Sequence, residues 1–116
     1  MLIIEHRRNS LEEASNVSNN YGAEIDLRGS MDGIYLAHDW LSPEVYFQDW
    51  LKCFSGTFVI ANIKEIGIED KVVELMQQAG IGDNYFLLDL PTPSLVRSIR
   101  RGFRCAARVS ELESLT

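Results

Sequence analysis

Hydrophobic positions change their spacing repeatedly along the chain, which predicts strands alternating with helices. Short apolar runs that predict strands lie at 1–6 (MLIIEH), 23–29 (AEIDLRG), 33–39 (GIYLAHD), 57–64 (TFVIANIK), 84–90 (NYFLLDL) and 104–109 (RCAARV). Helices are predicted between them at 9–22, 42–54 (begun by Ser42 and Pro43), 68–80 and 92–102, and 110–116 (SELESLT) is typical of a helix start.

This order of elements predicts an α/β fold with a mainly parallel sheet. The β-branched run at 57–64 is typical of a strand buried in such a sheet. The segment 33–39 is predicted to be the hairpin partner of 23–29, because the turn residues SMDG lie between them. The pattern amounts to about five strand–helix units, whereas a complete eight-unit barrel needs roughly 200 residues or more.

The acidic composition limits the classes of partner. The 116 residues carry a net charge of −6, which disfavours non-specific binding to nucleic acid or to an anionic membrane surface. Basic residues are still clustered at Arg7 and Arg8 and in 97–104 (RSIRRGFR), where a small anion could bind. No apolar run reaches the roughly 18 residues of a membrane span and no secretory leader is evident, so we predict no integral membrane segment and a cytoplasmic location. Cys53 and Cys105 lack metal-ligand or redox spacing and are predicted to be buried free thiols.

Side chains suited to catalysis collect where the predicted strands end. They are His6, Arg7, Glu24, Asp26, His38, Asn62 and Lys64. Glu24 and Asp26 are two residues apart on one strand, so their carboxylates face the same side of the sheet. Converging carboxylates are costly unless a cation offsets their charge, and their hard oxygens suit Mg²⁺ or Ca²⁺. Histidines exchange protons near neutral pH, and arginine and lysine match the charge of phosphate. The combination indicates phosphodiester chemistry.

Each of these residues also has a simpler interpretation. A single histidine near the end of a strand is more often a hydrogen-bonded structural residue, and an E-x-D on a strand is usually a solvated face. Trp40 and Trp50 are expected to pack in the core. A plain interaction domain would direct Glu24 and Asp26 to solvent. Only the ordered combination favours a functional site.

The motifs HRRNS, EIDLR, DGIYLAHD and NIK, in this order, carry a resemblance to a known family. Between Ile3 and Lys64 the chain resembles the glycerophosphodiester phosphodiesterases, part of the phosphatidylinositol phospholipase C-like phosphodiesterase superfamily. The fold that this implies is a TIM-type (β/α) barrel, of which residues 1–116 would form the N-terminal part as one truncated α/β domain. Either the chain belongs to a longer protein, or two copies associate as a homodimer to complete the core.

The resemblance also implies a role for each candidate residue. His6 would be the general base and His38 the general acid, with Arg7 and Lys64 on the substrate phosphate. The divalent cation, Mg²⁺ or Ca²⁺, would be bound by the set Glu24, Asp26 and Asn62. The implied activity is metal-assisted hydrolysis of a small glycerophosphodiester-like substrate.

Two departures from the family pattern support an alternative function. Asn62 stands where the family usually has a metal-binding Glu, and the small residue that follows HR in the family is missing from HRRNS. The alternative is a non-catalytic or weakly active relative that binds a phosphorylated polyol or sugar, as in surface-polysaccharide metabolism.

Overall fold

Six strands and four helices make up the described part of the chain. The structure is a computed structural model that describes residues 3–6, 8–30, 33–36 and 45–106. The strands are β1 (Ile3–Glu5), β2 (Tyr21–Ser30), β3 (Gly33–Leu36), β4 (Val45–Tyr46), β5 (Phe58–Ile63) and β6 (Tyr85–Leu88). The helices are α1 (Leu11–Ser15), α2 (Phe47–Cys53), α3 (Glu69–Gln78) and α4 (Thr92–Arg100).

All six strands belong to one mixed sheet in the order β4-β3-β2-β5-β6, with β1 also paired to β2. The long strand β2 has different partners along one of its edges. Its first residues pair in parallel with β1, and its last residues pair antiparallel with β3, as the predicted hairpin requires. On its other edge β2 runs parallel to β5, and β5 runs parallel to β6. Glu24, Asp26 and Asn62, three of the predicted site residues, lie on these parallel strands.

The predicted N-terminal part of a TIM-type barrel is wrong. The strands of such a barrel are all parallel and close on themselves, whereas β3 and β4 run antiparallel and the described sheet is open from β4 to β6. The fold is instead a small α/β domain built on a mixed sheet. The local pattern could not distinguish the two, because a strand–helix unit has the same periodicity whether or not its sheet closes.

The hydrophobic core lies on one face of the sheet. Alternate residues of the strands are buried there: Ala23, Ile25, Leu27, Ile34, Leu36, Val59, Ala61, Ile63, Tyr85 and Leu87. They form one cluster with the buried residues of the helices, chiefly Ala14, Phe47, Trp50, Leu51, Val72, Val73, Leu75 and Met76. Because side chains alternate along a strand, Glu24, Asp26 and Asn62 face the opposite side of the sheet.

Several elements begin or end away from their predicted limits. Helix α1 stops at Ser15, because the asparagines and serines after it favour turns over helix. Val45 and Tyr46, predicted as helical, instead form β4, since the edge of β3 offers them backbone partners. The predicted helix start at Ser42 and Pro43 and the closing segment 110–116 lie outside the described residues. Helix α3 has 10 residues, about half of the roughly 20 that a bilayer needs, and none of the described helices could cross a membrane.

Gly22 allows three strands to approach closely, which leads to the first prediction. A Cβ atom at this position would lie 2.5 Å from Ile4 Cδ1 and 2.9 Å from the backbone oxygen of Phe58. Because backbone cannot rotate away, we expect Gly22→Ala to lower the free energy of unfolding in urea by about 1–3 kcal/mol. Gly33→Ala is the matched control, since its nearest atom would be Tyr46 Cε1 at 3.7 Å, an ordinary contact. Equal stabilities for the two variants would contradict this account of Gly22.

Candidate functional site

The candidate site lies where the central parallel strands end. Strands β2, β5 and β6 run in the same direction, and the parallel pairing of β2 with β5 ends at Leu27 and Ile63, so Asp26 and Asn62 lie at the same end of this parallel region. The register places Asp26 beside Asn62, and Asn62 beside Leu88. We call the polar residues at this edge the carboxyl-edge cluster: His6, Asn9, Glu24, Asp26, Asn62, Lys64 and Asp89.

Asp26 is at the centre of this cluster and uses both of its carboxylate oxygens. Asn62 Nδ2 donates to Oδ1 at 3.2 Å, and Asn9 Nδ2 donates to Oδ2 at 3.2 Å. Asn9 Oδ1 also accepts from the Asp26 backbone N at 3.0 Å, so the two residues are joined twice. Lys64 Nζ lies 3.7 Å from Oδ1, and the Asp26 side chain is only 20% exposed. The Asp26 carboxylate is therefore fixed by hydrogen bonds and mostly shielded from solvent, whereas a plain interaction domain would expose it.

Glu24 holds His6 at the rim of the cluster. His6 Nδ1 lies 3.2 Å from Glu24 Oε1, with the His6 side chain 76% exposed and that of Glu24 15% exposed. When Nδ1 carries the proton that Glu24 accepts, Nε2 is left as the basic nitrogen. In that tautomer the second imidazole nitrogen is open to solvent, and the carboxylate that orients the ring lies on the same strand face as Asp26.

Lys64 and Asp89 form the part of the cluster nearest to β6. Lys64 Nζ lies 3.3 Å from Asp89 Oδ2, closer than its distance to Asp26. Asp89 directly follows β6 and has a φ of 67°, in the left-handed region that few residues other than glycine, asparagine and aspartate adopt readily. The backbone turn at the end of β6 therefore directs a carboxylate to Lys64.

Sequence reasoning missed two residues of the cluster. Asn9 is the first residue of the predicted helix 9–22, but Ser10 caps α1, by accepting from Glu13 N at 3.1 Å, and Asn9 is hydrogen-bonded to Asp26. Asp89 could have been noticed by its position, since it is the one acidic residue in the predicted strand 84–90 and lies near the end of that strand. Its role depends on Lys64, which reaches it across the sheet from the end of β5.

The structure describes five of the seven predicted site residues and places them in two groups. Asp26 contacts Asn62 and Lys64, and His6 contacts Glu24, which is two residues from Asp26 on the same strand face. Arg7 and His38 lie outside the described residues, so the placement of an arginine on phosphate and of a second histidine as general acid stays a prediction.

Ionisable groups away from the cluster have structural roles. Asp70 on α3 accepts from Arg97 at 2.8 Å and from Arg101 at 3.0 Å, and this hydrogen bond and charge raise the pKa of Arg97. Burial raises the pKa of the Cys105 thiol, and the negative charge of Glu69 raises it further. Cys53 and Cys105 are both free, as predicted, but they are half-buried and not buried. These contacts join α3 to α4 and to the chain after it.

Comparison with protein-family models and with curated proteins gives no match. No model of a known protein family matches the chain, and no curated protein matches it at a significant level. The resemblance to glycerophosphodiester phosphodiesterases therefore rests on the order of its motifs and stays a prediction.

A divalent cation is the group that the predicted site implies. Among the described residues, no group of three or more His, Cys, Asp or Glu side chains is arranged to hold a metal ion. The donors at Glu24, Asp26 and Asn62 still fit a hard cation in kind, because all three offer oxygen. The buried Asn62 is 3% exposed, and its Oδ1 has no hydrogen-bond partner in the part of the chain that the structure describes.

The present contacts show what cation binding would require. Asn62 directs Nδ2 rather than Oδ1 to Asp26, and the Lys64 ammonium also lies beside Asp26. For Asp26 and Asn62 to hold one cation together, the amide has to turn over and Lys64 has to withdraw. The negative charge of Asp26 is therefore already offset within the protein, by the ammonium of Lys64 and by the hydrogen bond from the Asn62 amide.

Proposed function

We propose that the chain is a metal-assisted phosphodiesterase that acts on a glycerophosphodiester-like substrate at the carboxyl-edge cluster. The observation that carries the proposal is the His6–Glu24 pair, at 3.2 Å, on the same strand face as Asp26. A basic nitrogen, held carboxylates and a lysine ammonium at one strand edge are the groups that hydrolysis of a phosphodiester uses.

His6 would act as the general base. With Nδ1–H donated to Glu24, Nε2 takes a proton from water or from a neighbouring substrate hydroxyl as that oxygen attacks phosphorus. The imidazolium that forms lies beside the Glu24 carboxylate, which stabilises its charge. The leaving alkoxide needs a proton in turn, and His38 is the residue predicted to supply it.

Positive charge near the phosphate would come from the chain and from a cation. Lys64, 36% exposed, can direct its ammonium to a phosphate oxygen, and Arg7 is predicted to do the same. Glu24, Asp26 and Asn62 would hold Mg²⁺ or Ca²⁺, which when bound supplies charge that stabilises the phosphorane oxygens. Asn9 keeps the Asp26 carboxylate in place by the two hydrogen bonds that join them.

The second prediction tests this proposal by hydrolysis of bis(p-nitrophenyl) phosphate and of glycerophosphodiesters, with Mg²⁺, with Ca²⁺ and with a chelator. We expect metal-dependent turnover in the wild type and a loss of about 10- to 100-fold in Asp26→Asn, because one carboxylate charge of the cation site is removed. Asp83→Asn is the matched control, since Asp83 is exposed before β6 and has no place in the cluster. A turnover rate that is unchanged by the chelator and by Asp26→Asn would contradict the proposal.

A second candidate function is supported by one observation at the same site. Asn62 is neutral, and Lys64 already lies beside both Asp26 and Asp89, so the cluster has less free negative charge for a catalytic cation. This favours a protein that binds a phosphorylated polyol or sugar without cleaving it. Saturable binding of glycerol phosphate by a folded wild type that lacks turnover would select this function.

A further inference from the structure

The face of the sheet opposite the core also carries apolar side chains, which we call the open face: Ile4, Phe58, Ile60, Phe86 and Leu88. Four of them alternate with the core residues of β5 and β6, and Ile4 joins them by pairing with Gly22 of the same face. All five are half-buried, and none of them is part of the core cluster that the described residues form.

The topology explains why the described helices leave this face open. Strands β1, β2, β5 and β6 lie side by side in chain order and run parallel. Right-handed crossovers between strands in this order place their helices on one face of the sheet. Each described helix accordingly adds a side chain to the core cluster, through Ala14, Trp50, Met76 and Leu95. Because parallel sheets are almost always covered on both faces, the open face needs a cover.

One row of paired residues across this face has opposite charges at its two ends. Glu24 pairs with Ile60, and Ile60 pairs with Phe86. Arg104 comes next, since the chain around it bridges to β6 and its guanidinium lies 5.5 Å from the centroid of the Phe86 ring. Arg104 is also exposed. The row therefore runs from an acid on β2, through two apolar residues, to a base beyond β6.

Such a row is complementary to itself when it is turned about a two-fold axis parallel to the strands. The axis reverses the row, so that Glu24 faces Arg104 of the partner subunit. The apolar residues meet in the same way, with Ile60 opposite Phe86 of the partner subunit. Each contact then occurs twice, as in every isologous interface. The charges of the row thus favour a second copy of this chain as the cover.

The open face has the area that a small dimer needs. Its backbone segments are spaced roughly 4.8 Å apart and six residues of a strand span about 20 Å, so five segments present about 480 Å² in projection. Two copies would bury on the order of 1,000 Å² together, the lower limit for a specific interface. We therefore expect a dimer that dissociates at micromolar concentrations.

We propose that the open face is the interface of a homodimer, in which two sheets pack face to face about a two-fold axis parallel to their strands. Ile60 and Phe86 lie at its centre, and Glu24 forms an ion pair with Arg104 of the partner subunit at each border. The row of Asp26 lies at one end of the face, so the carboxyl-edge cluster borders the interface. The second copy thus adds a guanidinium beside the His6–Glu24 pair.

The third prediction concerns the mass of the chain in solution, measured by analytical ultracentrifugation over a range of micromolar concentrations. The wild type should approach twice the 13.2 kDa of one chain as its concentration rises. Ile60→Lys places a charge at the centre of the interface and should weaken the dimer by about a hundredfold or more. Ile66→Lys is the matched control, because Ile66 is 75% exposed and lies outside the open face. Circular dichroism confirms that each variant is folded.

Two charge reversals test the ion pair and the axis together. Arg104→Glu alone places two carboxylates at each border, and Glu24→Arg alone places two guanidinium groups there. Each variant should dimerise about tenfold to a hundredfold more weakly than the wild type, since both borders change at once. Mixed in equal amounts, the two variants should form a heterodimer in which both borders again pair opposite charges. Arg100→Glu, at an exposed arginine of α4, is the control for charge alone.

The outcomes do not depend on whether the protein hydrolyses a phosphodiester. A dimer that is dissociated by Ile60→Lys and recovered by mixing the two charge variants supports the inference. A monomeric wild type overturns it, because something other than a second copy would then cover the open face. A mixture that is no more dimeric than either charge variant alone also overturns it, even if Ile60→Lys fails to fold, since Glu24 and Arg104 would not face each other.

Discussion

Replacement of His6 by alanine is expected to lower the turnover number for phosphodiester hydrolysis by about 10²- to 10⁴-fold, the usual contribution of a positioned general base. The imidazole lies at the rim with 76% of its side chain exposed, so little packing is lost and the fold should be retained. The measurement is the steady-state rate at saturating substrate, for wild type and His6→Ala at the same metal concentration.

Two further variants show whether His6 acts as a base. Glu24→Gln should reduce turnover less than His6→Ala, because glutamine can still accept from Nδ1 although the charge that stabilises the imidazolium is gone. Because the His6 position is open to solvent, added imidazole should restore part of the rate in His6→Ala and none in Asp26→Asn. Full activity in His6→Ala would remove His6 from the mechanism.

Trp50→Ala is expected to have the largest effect on stability, lowering the free energy of unfolding by about 3–5 kcal/mol. Trp50 is fully buried and stacks on Phe54 with 4.6 Å between the ring centroids. Its Nε1 also donates to the Arg8 backbone oxygen at 2.6 Å. Domains of this size have a total stability of about 5–15 kcal/mol, so the loss should be evident in urea titrations at 25 °C.

Trp50→Phe separates packing from hydrogen bonding and links the core to the site. Phenylalanine keeps most of the ring contact but leaves the Arg8 oxygen without its donor, so we expect a smaller loss of about 1–2 kcal/mol.

Arg8 N also donates to the Glu24 backbone oxygen at 3.0 Å, next to Asn9 and its contacts with Asp26. Turnover should therefore fall in Trp50→Phe although Trp50 is outside the cluster. Tyr46→Ala, at an aromatic residue 51% exposed, is the control. Losses of stability and turnover in Tyr46→Ala as large as those in Trp50→Phe would argue against a special role for Trp50.

Local periodicity was sufficient to place most elements and the candidate carboxylates. The apolar run of β5 and the alternation in β2 predict strands, because apolar side chains tend to be buried and polar side chains exposed. The two-residue spacing of Glu24 and Asp26 placed them on one face, as the structure shows with the core on the other. Element limits were less accurate where a neighbouring strand decided the outcome, as at Val45 and Tyr46 beside β3.

The sequence by itself determined the alternation of strands and helices, the core face of the sheet and the two-residue spacing that places Glu24 and Asp26 on the opposite face. All of these depend on side-chain chemistry and on spacing within one element. Only the tertiary structure decided that the sheet is mixed and open, because strand pairing joins segments far apart in the chain. It alone brought Asn9 to Asp26 and placed Lys64 between Asp26 and Asp89, since such contacts depend on how different elements align and no local pattern records them.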